Sequence, residues 1–430
     1  MREVTARMRI VFVGLVLCGA FVASCAPASA SSSSAVQPYI ILAQDSGVIH
    51  FVDPTTLANI GALRVSNERS YLWNISATPN GQVLFVEAYP GGQAHQFALD
   101  LSTRAMCLLT QQGRVLMASP DGRSLIVQRM ESMVNDGSGF RFLDHSGLEI
   151  WDAQMFEPQE SIALLGNYPD QFFPSPDARW LYGLLYTSGP PYGNAERVLH
   201  VFDTNARRFI AQLQWGKSSP RGTYPRAAWD TVAPRFYFTD GERLVVIDAS
   251  SQTILREMPL VLRGPRGPEP TVDGTWLEIA GARDGRVYLY HPFGGYWIYD
   301  YEAEARGEIS GGLFVVDTNT GEQIAHWQPS IAFSHVIAGG DRLYGIQAKR
   351  DLDVESDPDI DLFMLDAVDG ILLASRTLEY DRWTLAYVQL DPNVVPVERE
   401  PMVAQSCSRL EPTLIPFTPP VPAPTQAPQK

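Results

Sequence analysis

Short apolar runs that end in an aspartate recur seven times along the chain, at Asp53, Asp100, Asp152, Asp203, Asp248, Asp317 and Asp366. Val48-Ile49-His50-Phe51-Val52-Asp53 and Leu244-Val245-Val246-Ile247-Asp248 show the form: extended, mostly β-branched residues closed by one that turns the chain. The intervals are 47, 52, 51, 45, 69 and 49 residues. In strand-rich chains such a period marks a four-stranded unit repeated around an axis. The pattern predicts an all-β fold, a seven-bladed β-propeller over residues 38–394.

Within each unit of strands A to D, the aspartate closes the strand before the last hairpin. A tight turn of Pro, Asp or Asn and Gly precedes it, between the inner strands A and B. Its copies are Pro79-Asn80-Gly81, Pro120-Asp121-Gly122, Pro176-Asp177-Ala178, Asp284-Gly285 and Gly340-Asp341, and the fifth blade has the degraded form Asp230-Thr231-Val232-Ala233-Pro234. The chain enters at Tyr39-Ile40-Ile41-Leu42 with no inner strand of its own. Trp383-Thr384-Leu385-Ala386-Tyr387-Val388, followed by Asp391-Pro392-Asn393, reads as the missing piece. Both chain ends are therefore expected to share the first blade, which removes exposed strand edges.

Together the repeats resemble the YVTN-type propellers, whose unit pairs a Pro-Asp-Gly turn with a Val-x-Val-x-Asp-x-x-Thr strand. Ser119-Pro120-Asp121-Gly122-Arg123 and Phe314-Val315-Val316-Asp317-Thr318-Asn319-Thr320-Gly321 match best, and no copy contains the tetrapeptide itself. Related propellers include surface-layer proteins, sugar lactonases and subunits of quinone-linked amine dehydrogenases. The resemblance implies a fold and leaves the activity open.

The N-terminus carries Arg2, Arg7 and Arg9 ahead of an apolar stretch, 10–22, which is too short for a membrane-spanning helix and has a secretory layout. Val22-Ala23-Ser24-Cys25 resembles the lipobox of bacterial lipoproteins, with residues 1–24 as signal peptide and Cys25 as the lipidated residue. Cleavage near Ala28 or Ala30 is the alternative. A Ser/Ala-rich tether, 25–37, and a proline-rich tail, 395–430, flank the domain; neither composition builds a core, and the tail is expected to be disordered. The expected address is the extracytoplasmic face of a bacterial membrane, held by lipid alone.

Loss of residues 1–24 removes three arginines and one glutamate, taking the formal charge from −15 to −17. Such a surface repels phosphate backbones and excludes nucleic acid as a partner class. Cys107 and Cys407 remain as a pair that an oxidising compartment would join, stapling the tail to the second blade; a buried thiol beside a free one is the other outcome.

The A–B turns are short, whereas insertions at 130–146, 187–197, 291–311 and 348–360 all fall in B–C loops and should crowd one face. The blade-six insertion interleaves aromatics and carboxylates. Tyr296, Trp297, Tyr299, Asp300 and Tyr301, joined by Tyr192, form a candidate surface for sugar rings or cationic segments, against packing of a local hairpin. In blade seven six carboxylates lie between Asp351 and Asp361. Asp353, Asp357 and Asp359 are the candidate ligands for calcium; the run lacks the EF-hand pattern and equally suits a solvated acidic loop.

The seven histidines are scattered, with His50 and His200 at the same blade position, which marks them as structural. No GxSxG elbow, P-loop, dinucleotide fingerprint or HExxH pair occurs, so no catalytic residue is assigned. The sequence favours a binding or scaffolding module for a protein or glycan of the cell envelope, with no cofactor beyond the candidate calcium. The alternative is a lactonase-like or dehydrogenase-like enzyme with its site in the central funnel.

Overall fold

The computed structural model describes residues 36–404, apart from 66–70, 90–94, 111–112, 130–132, 136–139, 143–146, 154, 164–168, 187–195, 218–225, 240–242, 265–266, 269–276, 293–296, 301–304, 309–310, 349–359 and 379–382. Every regular element among them is a β-strand. Seven four-stranded antiparallel sheets form the blades, and two of these carry an added edge strand.

In blade 2, strands A to D are Tyr71–Ala77, Val83–Tyr89, His95–Asp100 and Ala105–Thr110. Blade 3 has Gly113–Ala118, Ser124–Arg129, Gly147–Asp152 and Pro158–Ala163. Blade 4 has Pro169–Pro174, Trp180–Tyr186, Glu196–Asp203 and Arg208–Lys217. Blade 5 follows with Arg226–Trp229, Arg235–Thr239, Arg243–Asp248 and Thr253–Pro259. Blade 6 is built from Glu278–Arg283, Arg286–Tyr290, Leu313–Asp317 and Gln323–Trp327. Phe333–Gly339, Arg342–Ala348, Ile360–Asp366 and Leu372–Leu378 make blade 7. Blade 1 takes its B to D strands, Gln37–Gln44, Val48–Val52 and Asn59–Arg64, from the N-terminal side. Its A strand is Trp383–Leu390, paired antiparallel from Gln37↔Leu390 to Gln44↔Trp383. The ring closes as the sequence predicts.

Hydrophobic clusters fill the space between adjacent blades. In strand B of blade 1, Ile40 and Leu42 pack against Tyr344 and Ile346 of blade 7, while Tyr39, Ile41 and Ala43 meet Leu84 and Leu99 of blade 2. Both faces of the strand are buried, so the run reads as continuously apolar rather than alternating.

The recurring aspartates anchor the C–D turns. Asp53, Asp203, Asp248, Asp317 and Asp366 each accept the backbone N–H groups two and three residues on, as at Asp203, where Asn205 and Ala206 both donate at 2.9 Å. Asp100 does the same with Ser102 and Thr103, and Asp152 accepts from Met155. Four residues after each aspartate the backbone turns left-handed: Leu57, Arg104, Phe156, Arg207, Gln252, Gly321 and Gly370 all have φ between 53° and 76°. Asp230, in the degraded fifth A–B turn, accepts from Val232 at 2.8 Å, Ala233 at 3.0 Å and the Tyr237 hydroxyl at 3.0 Å. Burial alone would raise its carboxyl, but these donors hold it below the ordinary aspartate value. The side chain thus replaces the missing glycine turn.

After the ring closes, the chain runs outward as a strap. Arg399–Pro401 pairs in parallel with Ala62–Arg64 of blade 1, and Val403–Ala404 with Ala105 and Met106 of blade 2. Gly61 admits the crossing, since a Cβ there would lie 1.9 Å from the Pro396 carbonyl oxygen. Arg104 Nη1 donates to the Val394 carbonyl at 2.8 Å. Within 395–430, assigned to the tail by composition, Arg399–Pro401 and Val403–Ala404 are therefore strand-paired; residues 405–430 lie outside the described residues.

Candidate functional site

The A strands touch one another around the axis, from blade 5 through blade 1 to blade 4. A cavity of about 310 Å³ opens among five of them, lined by Asn74, Arg114, Phe172, Phe173, Arg226, Ala227, Glu278 and Ile279. Strand register gives its height. Arg114, Arg226 and Glu278 pair with Gln128, Thr239 and Tyr290, which stand at or next to the ends of B strands. The cavity therefore lies at the end of the channel where the B–C loops leave.

Local geometry seats each lining residue. Arg226 Nε meets Glu278 Oε1 at 2.7 Å across blades 5 and 6, with both side chains 23% exposed. Desolvation raises the Glu278 carboxyl above the ordinary glutamate value despite the arginine beside it. Arg114 Nη2 donates to Gln128 Oε1 at 3.1 Å. Asn74 adopts φ 44° within a register slip between Trp73 and Ser76, and its amide donates to the buried Glu87 carboxylate. Gly183 makes room for Phe172, whose ring would lie 2.6 Å from a Cβ at that position.

The sum is two guanidiniums against one carboxylate in the lining, within a chain of formal charge −15. With the buried Glu87 carboxylate held behind Asn74, the charges around the mouth come to two guanidiniums and two carboxylates. Tyr290 and His335 lie at or beside this level, where burial pushes the phenol up and the imidazole down from their ordinary values.

None of these residues was singled out by the sequence. Arg114, Arg226 and Glu278 stand in three different blades and make no linear motif. Aligning the repeats on their A–B turns would have found them, since the register puts Trp73, Arg114, Gln171, Arg226, Glu278, His335 and Thr384 at one height in the ring.

The sequence-predicted residues are placed as follows. The four long insertions do lie between strands B and C, in blades 3, 4, 6 and 7. Trp297–Asp300 pairs antiparallel with Ala305–Glu308, so Trp297, Tyr299 and Asp300 stand on one strand of a small hairpin. Tyr192, Tyr296, Tyr301, Asp353, Asp357, Asp359, Cys25 and Cys407 lie outside the described residues. Cys107 is buried in strand D of blade 2 and is disulfide-bonded. Three histidines serve structure: His50 bonds Gln44 and Asn59, His200 packs edge-on against Phe209, and His326 stacks on Phe314 at 4.3 Å. Among the described residues no group of three or more His, Cys, Asp or Glu could hold a metal ion.

Seven blades around a polar axial mouth make this chain a seven-bladed β-propeller. No family model matches it, and neither does any curated protein. Solved structures similar to it include dihydro-heme d1 dehydrogenase NirN in complex with DHE, at 15% identity and a TM-score of 0.44, covering 84% of this chain and 70% of that one. A nidogen/laminin complex (10% identity, TM-score 0.40) and apo AztD from Citrobacter koseri (12%, 0.44) each cover 82% of this chain and 98% of theirs. Likeness at this level says nothing of activity, and the blade count rests on the sheets themselves.

Proposed function

We propose that the chain is a YVTN-type binding propeller of the bacterial cell envelope, held to a membrane by lipid on Cys25, that engages a protein or glycan through its B–C loop face. One observation carries the reading: four B–C insertions and the charged axial mouth open at the same end of the channel. Loops on a rigid ring change without disturbing the blades, so the end where they gather is the binding end. Cross-linking on intact cells tests it. A single dominant partner joined through residues 130–146, 291–311 or 348–360 is the expected result, and recovery of no partner overturns the macromolecular reading. Cys25→Ser should release the protein from membranes; retention there overturns the anchor.

The convergence of Arg114, Arg226 and Glu278 favours a second reading, an enzyme acting at the funnel. Turnover of a lactone or amine substrate that is lost in Glu278→Gln would support it over binding.

A further inference from the structure

We infer that the axial mouth is a site for a small hydroxylated carboxylate of the hexuronate class. The inference takes its face from the binding reading above, while its occupant follows from the channel lining alone.

Arg114 is the anion receptor. Its guanidinium is a planar fork of five N–H donors, and among the described residues it donates to one acceptor, the neutral Gln128 side chain. Gln128 is buried and fixes the fork from behind. A carboxylate matches such a fork with two parallel hydrogen bonds. Arg226 stands differently, because Glu278 already compensates its charge at 2.7 Å. Arg114 is thus the lining guanidinium whose partner among the described residues is neutral, and one carboxylate answers it. A phosphate dianion would bring a second charge into a cavity that already holds the Glu278 carboxylate, which disfavours it.

The rest of the lining specifies what the carboxylate is attached to. Glu278 has an oxygen beyond the one that meets Arg226, and Asn74 an amide oxygen beyond the N–H it gives to Glu87, acceptors that suit hydroxyls. Phe173, half-buried at the lining, brings an apolar ring face on which a sugar packs. About 310 Å³ lies at the small end of ligand-site volumes and suits a single ring rather than a chain. In a protein of formal charge −15 an anion finds little else to attract it, so attraction should be local to the mouth and sensitive to salt.

Calorimetric titration of the full chain with D-glucuronate, D-glucose and inorganic phosphate tests the assignment. Glucuronate should bind, with glucose and phosphate each weaker by about tenfold or more, as expected for loss of a charge-assisted pair. Arg114→Gln should weaken glucuronate by about as much, and Arg114→Lys should keep part of the affinity. Glucuronate that does not bind, glucose that binds as well, phosphate that binds better, or undiminished affinity in Arg114→Gln would each overturn it. The wild-type comparison of glucuronate with glucose decides the matter even if the variants fold poorly. Free monosaccharides need no envelope partner, so failure of the cross-linking experiment and failure of this one are separate results.

Discussion

The hydroxyl of Tyr344 in blade 7 donates to the carbonyl of Pro54, in the C–D turn of blade 1, at 2.9 Å. The same latch recurs around the ring. Tyr182 donates to Gln252 in the blade 5 turn at 2.6 Å, and Tyr288 to the Ala367 carbonyl in the blade 7 turn at 2.5 Å. All three are fully buried third residues of strand B, and desolvation pushes the Tyr288 and Tyr344 phenols up to about 12. Blades 2 and 3 have Phe85 and Ile126 there and lack the hydroxyl. Arg342 also donates to the Pro54 carbonyl, so that acceptor stays satisfied without the tyrosine. Tyr344→Phe should cost about 1 kcal/mol in urea unfolding with an unchanged denaturant slope.

Closure at blade 1 depends on one strand. Ending the chain before Trp383 exposes the whole edge of Gln37–Gln44 and uncovers the clusters on both sides of blade 1. Circular dichroism of that truncation should show loss of the cooperative transition. Ending it after Glu398 removes only the strap strands and should leave a folded ring with a lower midpoint.

Gly370 and Gly321 occupy equivalent left-handed turns, at φ 73° and 76°, with different neighbours. A Cβ at Gly370 would lie 2.2 Å from the Trp327 ring, whereas at Gly321 it would meet the flexible Met258 side chain at 2.8 Å. Gly321→Ala should cost about 1–2 kcal/mol from backbone strain. Gly370→Ala should cost distinctly more, because the indole must move. Equal thermal shifts for the two would refute this.

Burial holds His200 and His335 below the ordinary imidazole value of 6.5. The unfolded chain then binds protons more readily than the folded one, so stability is full above 6.5 and falls as pH drops below it. Each group contributes a slope of up to ~1.4 kcal/mol per pH unit. Asp53 and Asp248, held low chiefly by hydrogen bonds from Thr55 and Ser251, add loss in the same direction below their ordinary value of 3.8. Urea midpoints from pH 7 to 5 should decline, and His200→Gln should flatten the decline.

Cys107 is disulfide-bonded, and the strap runs beside its strand as far as Ala404, paired with Met106. Cys407 stands three residues further along the chain and is the expected partner. Non-reducing peptide mapping should recover the Cys107–Cys407 linkage. Reduction should lower stability by on the order of 4 kcal/mol, as expected for a cross-link spanning so much chain.

The blades were legible because their signals are local: an apolar run, an aspartate that accepts the next turn's N–H groups, and a short A–B turn. The circular closure was legible because the first blade lacks a strand that the C-terminal side supplies. The strap was not. Residues 396–401, Pro-Val-Glu-Arg-Glu-Pro, carry no strand pattern, since parallel pairing to an exposed edge uses backbone groups and is indifferent to side chains. Non-glycine residues in the left-handed turns, such as Leu57 and Arg207, likewise hid a conformation that glycine would have announced. The mouth was hidden for a third reason: Arg114, Arg226 and Glu278 become neighbours only once the ring has closed.

That first blade also sets an order of events. Its Gln37–Gln44 strand is made before every other strand of the ring, yet its partner Trp383–Leu390 is made after all the other blade strands. At about 5–20 residues per second the wait is on the order of half a minute. Throughout it a long apolar strand stands with one edge unpaired, the state most prone to join a neighbouring chain. For this protein the hazard of aggregation is therefore one of timing, concentrated before the last strand is made and removed when the ring shuts.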